Sequence, residues 1–435
     1  MIQPADLLPN LQPLINEVCD RMAEQPKLAE LFRRCYPNTF ATTMRPAADG
    51  TTFVVTGDIP AMWLRDSTAQ VRPYLLSAAH DSQVAALLAG VVRRQMCSIL
   101  LDPYANAFNE TANDAGYQDD LTDTHPAVWE RKYEVDSLCY PLQLAYLLWQ
   151  ATGDANHLDA DYRLAVRTIL RLWTCEQQHI TASPYQFQRL NCPPSDTLPN
   201  DGEGSPVAFT GMTWSGFRPS DDACTYGYLV PSNMFAVVVL GYAATIARDV
   251  HHDEATAADA EALAATIERG IREHAIVDHP DFGPIYAYET DGMGHYVLMD
   301  DANIPSLLSL PYLGYCSEDD PIYRNTRAFV LSSANPYFYK GRAAQGIGSP
   351  HTPDQHIWPL ALAMQGLTAA NQAEREAMLV LLAHTDANTG LMHESFHADD
   401  PHVFTRPWFG WANALFSELV LATCGLVVPG TPAKV

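Results

Sequence analysis

Tyr133-Glu134-Val135-Asp136-Ser137 runs straight into Leu138-Cys139-Tyr140-Pro141-Leu142, so a short loop of acids and an aromatic feeds a segment that is apolar almost all round. A helix at the surface shows one apolar stripe. A helix apolar on every face is buried on every side. The same transition occurs five more times, after Gly57-Asp58-Ile59-Pro60-Ala61-Met62-Trp63-Leu64-Arg65-Asp66, Ser220-Asp221-Asp222-Ala223-Cys224-Thr225-Tyr226, Asp300-Asp301-Ala302-Asn303-Ile304-Pro305-Ser306, Pro353-Asp354-Gln355-His356-Ile357-Trp358 and Arg406-Pro407-Trp408-Phe409-Gly410-Trp411. Met234 to Leu240 and Ala412 to Phe416 repeat the all-round apolar signature. Between these segments, residues 14–32, 82–101, 162–175, 258–275, 321–331 and 373–383 carry apolar residues at three- and four-residue spacing beside charged ones, as helices with one wet face do. Six inner and six outer helices in alternation predict an all-α (α/α)6 barrel, one domain over residues 1–435. The inner helix starts then meet at one mouth, where Pro, Asp and Ser are expected to serve as first-turn and capping residues. Residues 51–56 alternate weakly and suggest a short β excursion. Residues 181–217, rich in Pro, Gly, Ser and Asn, read as a long functional loop.

The totals restrict the partner. A formal net charge of −25, from 51 acids against 26 Lys plus Arg, repels phosphate backbones and anionic membranes. A neutral substrate fits better than nucleic acid or nucleotide. The nine cysteines are scattered, odd in number and without a C-x-x-C pair, as reduced core residues of an intracellular protein would be. The start, Met1-Ile2-Gln3-Pro4-Ala5-Asp6, lacks the basic and apolar regions of a signal peptide. The most apolar stretch, residues 235–247, is read as too short to span a bilayer. The expectation is a soluble cytoplasmic protein. Gly346-Ile347-Gly348-Ser349 is too short for a phosphate loop and lacks a Lys, and there is no G-x-S-x-G elbow.

Several constellations could carry chemistry. In Ser220-Asp221-Asp222 two adjacent carboxylates repel unless they diverge or bind something, so one could be held protonated as a general acid. A helix cap explains the same residues without chemistry. His393-Glu394-Ser395-Phe396-His397 matches the zinc-peptidase pattern H-E-x-x-H, in which His393 and His397 would bind metal and Glu394 activate water. That pattern needs a helix, and Gly390 before it and Asp399-Asp400-Pro401 after it leave little room for one. Glu394 could instead act alone as a base. Trp63-Leu64-Arg65-Asp66 offers either an ion pair or a fork of donors and acceptors to a sugar diol. In the 349–358 stretch, His351 and His356 are five apart and so do not share a helical face. Asp354, Gln355 and Trp358 suit sugar hydroxyls and the apolar face of a sugar ring. Arg406 and Trp408 are either binding residues or core packing.

In order along the chain, blocks 57–74, 132–144, 217–235, 332–360 and 391–411 resemble glycoside hydrolase family 125, the exo-α-1,6-mannosidases. The resemblance implies an (α/α)6 fold, no required metal or other cofactor, and an inverting mechanism. It maps the general acid to Asp221 and the general base to Glu394. Trp63, Arg65, Asp66, Asp136, Asp222, His351, Asp354, Gln355, Trp358, Arg406 and Trp408 are the expected substrate contacts. Inversion requires carboxyls roughly 6.5–9.5 Å apart with water between base and sugar, which two separate loops at one mouth can supply. His393 beside Glu394 would help keep the base ionised. The expected partner is a mannose-containing oligosaccharide. The alternatives are the zinc peptidase, a sugar epimerase or isomerase on the same barrel, and a glycan-binding protein without turnover.

Overall fold

The computed structural model describes residues 3–430; Met1, Ile2 and residues 431–435 lie outside the described residues, and with them part of the expected signal-free start. Helices dominate. The outer ones follow the local periodicity closely: Ser82–Leu101, Ala160–Glu176, Glu254–His274, Pro321–Val330 and Gln372–His384. Each begins on an acid or amide whose side chain accepts from first-turn N–H groups: Asp81, Asp159, Asp253, Asp320 and Asn371. Such caps are each worth about 1 kcal/mol. The expected helix over 14–32 is instead two, Leu8–Arg21 and Pro26–Cys35. Pro26 explains the break, because its ring cannot continue a preceding helix but fits a first turn.

The inner helices are Leu64–Val71, Val135–Thr152, Val230–Asp249, the short Leu310–Leu313, Pro359–Leu367 and Gly410–Thr423. Leu64–Val71 packs on Val135–Thr152, which packs on Val230–Asp249, which packs on Leu310–Leu313. Gly410–Thr423 packs on both Pro359–Leu367 and Leu64–Val71. Outer helices cover this set: Ser82–Leu101 lies on Val135–Thr152, Glu254–His274 on Val230–Asp249, and Gln372–His384 on Pro359–Leu367. One continuous apolar cluster runs from Leu7 to Val428. Val230–Asp249 corrects an expectation. It is 20 residues long and apolar enough to cross a membrane, as is Ser82–Leu101, because the helix extends past the 235–247 core in both directions. Burial of 72% of its apolar window within the fold accounts for that character.

Inner helices start differently from outer ones. Trp63, Glu134, Leu229, Trp358 and Phe409 stand at their N-caps in extended conformation, without side-chain caps. The expected capping acids are therefore elsewhere. Asp221 and Asp222 precede Val230–Asp249 by several residues and do not cap it, whereas Asp300 accepts from the N–H groups of Leu307 and Leu308. Instead, small antiparallel sheets tie the starts together. Met62–Trp63 pairs with Ala107–Phe108, which pairs with Val128–Glu130. Tyr228–Leu229 pairs with Glu289–Thr290. His356–Ile357 pairs with Ser395–His397, which pairs with Asp400–Thr405. The expected excursion at 51–56 is the strand Thr52–Val54, paired with Met44–Pro46. The 181–217 stretch is irregular apart from single turns.

Candidate active site

The sheets decide which side chains meet. Pairing Trp63 with Ala107, and Ala107 with Glu130, brings Arg65, Asn106, Glu130 and Lys132 to one corner. The 356–405 sheet does the same for Trp358, Glu394 and Arg406. Between them lies a narrow pocket, about 40 Å³, lined by Thr56, Ile59, Trp63, Arg65, Asp66, Pro219, Ser220, Asp221, Asn303, His351, Trp358, Glu394, Arg406, Phe409 and Trp411. A larger cavity of about 890 Å³, among Tyr312, Cys316, Leu421, Leu426 and Val428, lies toward the opposite ends of the inner helices. Its walls are mainly apolar and its buried charges, Arg72 and Glu418, already pair with each other at 2.7 Å. The convergent carboxylates are in the smaller pocket, and chemistry follows them rather than volume.

Arg65 is the hub. Its Nη1 donates to Glu134 Oε2 at 2.5 Å and to Asp136 Oδ2 at 3.2 Å, and its Nη2 to Asp221 Oδ1 at 3.0 Å. Asp66 stands 3.5 Å from Nε. Four carboxyls thus surround one buried guanidinium. Burial pushes Asp136 and Asp66 up, each to about 6, against the opposing pull of Arg65. Asp221 goes the other way. Burial would raise it, but Arg65, a hydrogen bond with Glu134, Lys132 and His351 together hold it below the usual carboxylate range. Glu134, completely buried, is pushed well above that range by burial and by Asp221 and Asp136, although Arg65 opposes. The surroundings of Asp221 thus oppose its protonation, while those of the neighbouring Glu134 favour it.

Asp221 is held by its backbone as well. Its φ is +66°, a left-handed conformation that Asp tolerates better than most residues. The N–H of Asp221 donates to Arg218 O at 2.9 Å, and Lys132 Nζ donates to Asp221 O at 2.7 Å. Lys132 also pairs with Asp196, which Arg189 grips from the other side along with Asp120 and Glu130. Asn106 Nδ2 reaches Glu130, Glu134 and Asp221 at 3.1, 3.4 and 3.3 Å. Across the pocket, Arg406 Nε lies 3.2 Å from Glu394 Oε1. Arg406 too has a left-handed φ, +49°. His351 Nδ1 lies 3.2 Å from Asp222 Oδ1. Burial would lower the His351 pKa, but Asp222, Asp221 and Glu394 raise it to about 9. Trp63 Nε1 is buried with no hydrogen-bond partner among the described residues.

The structure gathers Trp63, Arg65, Asp66, Asp221, His351, Trp358, Glu394 and Arg406 into one pocket lining. Asp136 lies beneath it, bonded to Arg65 and Ser232. Asp222 turns to His351 and Ser220. Asp354, Gln355 and Trp408 are outside the lining; Asp354 and Gln355 are exposed, and Trp408 packs beside Gly57. Sequence reasoning missed Thr56, Ile59, Pro219, Asn303, Phe409 and Trp411 in the lining and Asn106 and Lys132 behind it. Asn303 sits in the 300–306 loop, next to Asp300 and Asp301.

The zinc-peptidase geometry is not formed. Residues 395–397 are a strand, where the chain advances ~3.3 Å per residue instead of the ~1.5 Å of a helix, so the two histidines are not set one helical turn apart. His393 stacks on Phe404 at 3.8 Å and its Nδ1 pairs with Arg406 O, while His397 meets His356 edge-on. Arg406, rather than His393, is the charge beside Glu394.

Two carboxylates on separate loops of a helical scaffold, each beside an arginine and in one pocket lining with tryptophans, make a site of the glycoside-hydrolase class. Residues 25–421 match the model of the metal-independent alpha-mannosidases, GH125, and the chain belongs to that family. A Streptococcus pneumoniae metal-independent alpha-mannosidase, solved in a non-productive substrate complex with alpha-1,6-mannobiose, is 51% identical, with a TM-score of 0.95 over 96% of this chain and 99% of that one. The meiotically up-regulated gene 157 protein of Schizosaccharomyces pombe is 42% identical over 434 residues, covering 95% of this chain and 85% of its own length. A wild-type glycosidase at 16% identity, TM-score 0.57, over 93% of this chain and 99% of that one shares the fold alone.

Proposed function

We propose that this protein removes a terminal α-1,6-linked mannose from oligosaccharides with inversion, on a closed (α/α)6 barrel built as one domain. The observation that carries this is that Asp221 and Glu394 line one pocket, each on its own loop and each beside an arginine. The α-1,6-mannobiose held by the 51%-identical S. pneumoniae relative supports the substrate. Asp221 protonates the glycosidic oxygen as its bond to C1 breaks. Glu394 takes a proton from the water that attacks C1 from the other face, so β-mannose leaves first. Arg406, 3.2 Å from Glu394 Oε1, holds that carboxyl in place. Trp63 donates its free indole N–H to a sugar hydroxyl, and Trp358 offers its face to the ring. Arg65, Asp66 and His351 supply the remaining polar contacts. The nine free thiols support a reducing, cytoplasmic setting, and the net charge of −25 supports a neutral glycan rather than nucleic acid or a membrane surface.

The test is hydrolysis of α-1,2-, α-1,3- and α-1,6-mannobiose by wild type, Asp221→Asn and Glu394→Gln. Wild type should prefer the 1,6 linkage, and each variant should lose about 10²–10⁴-fold while keeping its thermal midpoint. Preference for another linkage overturns the substrate, and near-normal turnover by either variant overturns that residue's role. Uncut disaccharides with interconversion of free monosaccharides would favour an epimerase.

A further inference from the structure

We propose that Glu134 holds the proton that Asp221 delivers to the leaving group, a positioning residue one carboxyl behind the general acid; this rests on the assignment of Asp221 above. Glu134 and Asp221 converge on the same donors. Arg65 reaches Glu134 Oε2 at 2.5 Å and Asp221 Oδ1 at 3.0 Å, and Asn106 Nδ2 lies 3.4 Å from Glu134 Oε1 and 3.3 Å from Asp221 Oδ1. Arg65 and Asn106 thus draw the two carboxyls into one cluster. Two ionised carboxylates held this way repel, and a proton kept on one of them relieves the repulsion.

The charge count points the same way. Arg65 faces Glu134, Asp136, Asp221 and Asp66. Lys132 and His351 add positive charge on the Asp221 side, Glu130 adds negative charge, and Cys224 packs nearby. Four ionised carboxyls on one buried guanidinium would leave a large uncompensated charge out of water, so the cluster must hold a proton. The Glu134 side chain is 0% exposed and that of Asp221 25% exposed. The ionised partner therefore belongs at Asp221, toward the pocket, and the neutral one at Glu134, in the interior. Ser137 Oγ donates to Glu134 Oε2 at 2.6 Å, which fixes the carboxyl and leaves Oε1 toward Asn106.

The step balances. As the C1–oxygen bond breaks, its electron pair stays on the glycosidic oxygen. The proton crosses from Glu134 to Asp221 and from Asp221 to that oxygen, which leaves as a hydroxyl. Water adds to C1 and gives one proton to Glu394. Glu394 then releases its proton to solvent, and solvent reprotonates the pair through the partly exposed Asp221. A store of this kind lets Asp221 act as an acid at a pH where, alone beside Arg65 and Lys132, it would be empty.

The experiment compares wild type, Glu134→Gln and Glu134→Asp on α-1,6-mannobiose and on an aryl α-mannoside whose acidic phenol leaves without protonation. Gln keeps the shape but carries no mobile proton. Glu134→Gln should lose about 10²–10⁴-fold on mannobiose and far less on the aryl mannoside, with the alkaline limb of kcat moved to lower pH. Glu134→Asp should restore part of the mannobiose rate. Equal losses on both substrates, or near-normal mannobiose turnover, would overturn the proposal. A second readout needs no Glu134 variant: in wild type labelled with ¹³C at the glutamate carboxyls, a protonated signal should be present at neutral pH and should shift in Asp221→Asn. No such signal also overturns it. Wild-type rates for Asp221→Asn on mannobiose would instead sink the general-acid assignment itself.

Discussion

Replacing Arg65 by alanine would leave Glu134, Asp136 and Asp221 without the fork that now reaches all three. Removing one partner of a buried ion pair costs about 3–5 kcal/mol. Urea melts should show a loss of that order, with mannosidase activity lost as well; unchanged stability would mean the carboxyls neutralise one another without it. His351 gives a prediction with a sign. Its imidazole is raised from the ordinary value near 6.5 to about 9, so it stays charged through neutral pH. The attraction to Asp222 is fully present below ~6.5 and fades as pH rises through about 9. An NMR titration of the His351 ring should find its midpoint near 9 and lower in Asp222→Asn; a midpoint at the ordinary value contradicts the pairing. Asp221 and Glu394 stand out in the sequence as part of an adjacent acid pair and a matched motif, but only the family resemblance gives them roles. Asn106 was not, because a lone Asn next to Ala107 has no local pattern and gains its place only when a strand pairs across the chain.

At the scale of elements, periodicity and pairing differ in how far they can be read. The 82–101 helix is visible because an apolar residue every three or four positions is local information. The sheets that tie the inner helix starts are two to six residues long, and their registers join positions far apart in sequence, such as Ile357 with Phe396. Strands so short carry no alternation to read. They nonetheless set where Glu394, Arg406 and Trp358 meet. The loop of residues 220–227 depends on one close approach. A Cβ at Gly227 would lie 2.0 Å from Trp214 Nε1, and Trp214 is itself buried and stacked on His179 at 3.5 Å. Gly227→Ala should therefore destabilise by about 1–3 kcal/mol, as overpacking does, and thermal melting checks it. An unchanged midpoint would mean the indole shifts freely.

Over the whole molecule, inner helices meet the pocket with their N-terminal ends and without side-chain caps, while the outer helices close their own ends with Asp or Asn. The N–H-rich ends at the pocket offer partial positive charge where acids such as Asp66 and Asp136 gather in the first turns. That arrangement lets one face of a strongly acidic protein concentrate carboxyls around Arg65 and Arg406. A neutral glycan does not feel the net charge, so kcat/KM should change little between low and molar salt; a steep dependence would indicate a charged substrate. In the proposed reaction Asp221 and Glu394 act on opposite faces of an α-mannoside. The most direct measurement is proton NMR of the first mannose released from α-1,6-mannobiose, followed before mutarotation. β-Mannose as the initial product is the predicted result. α-Mannose, or no hydrolysis at all, would contradict it.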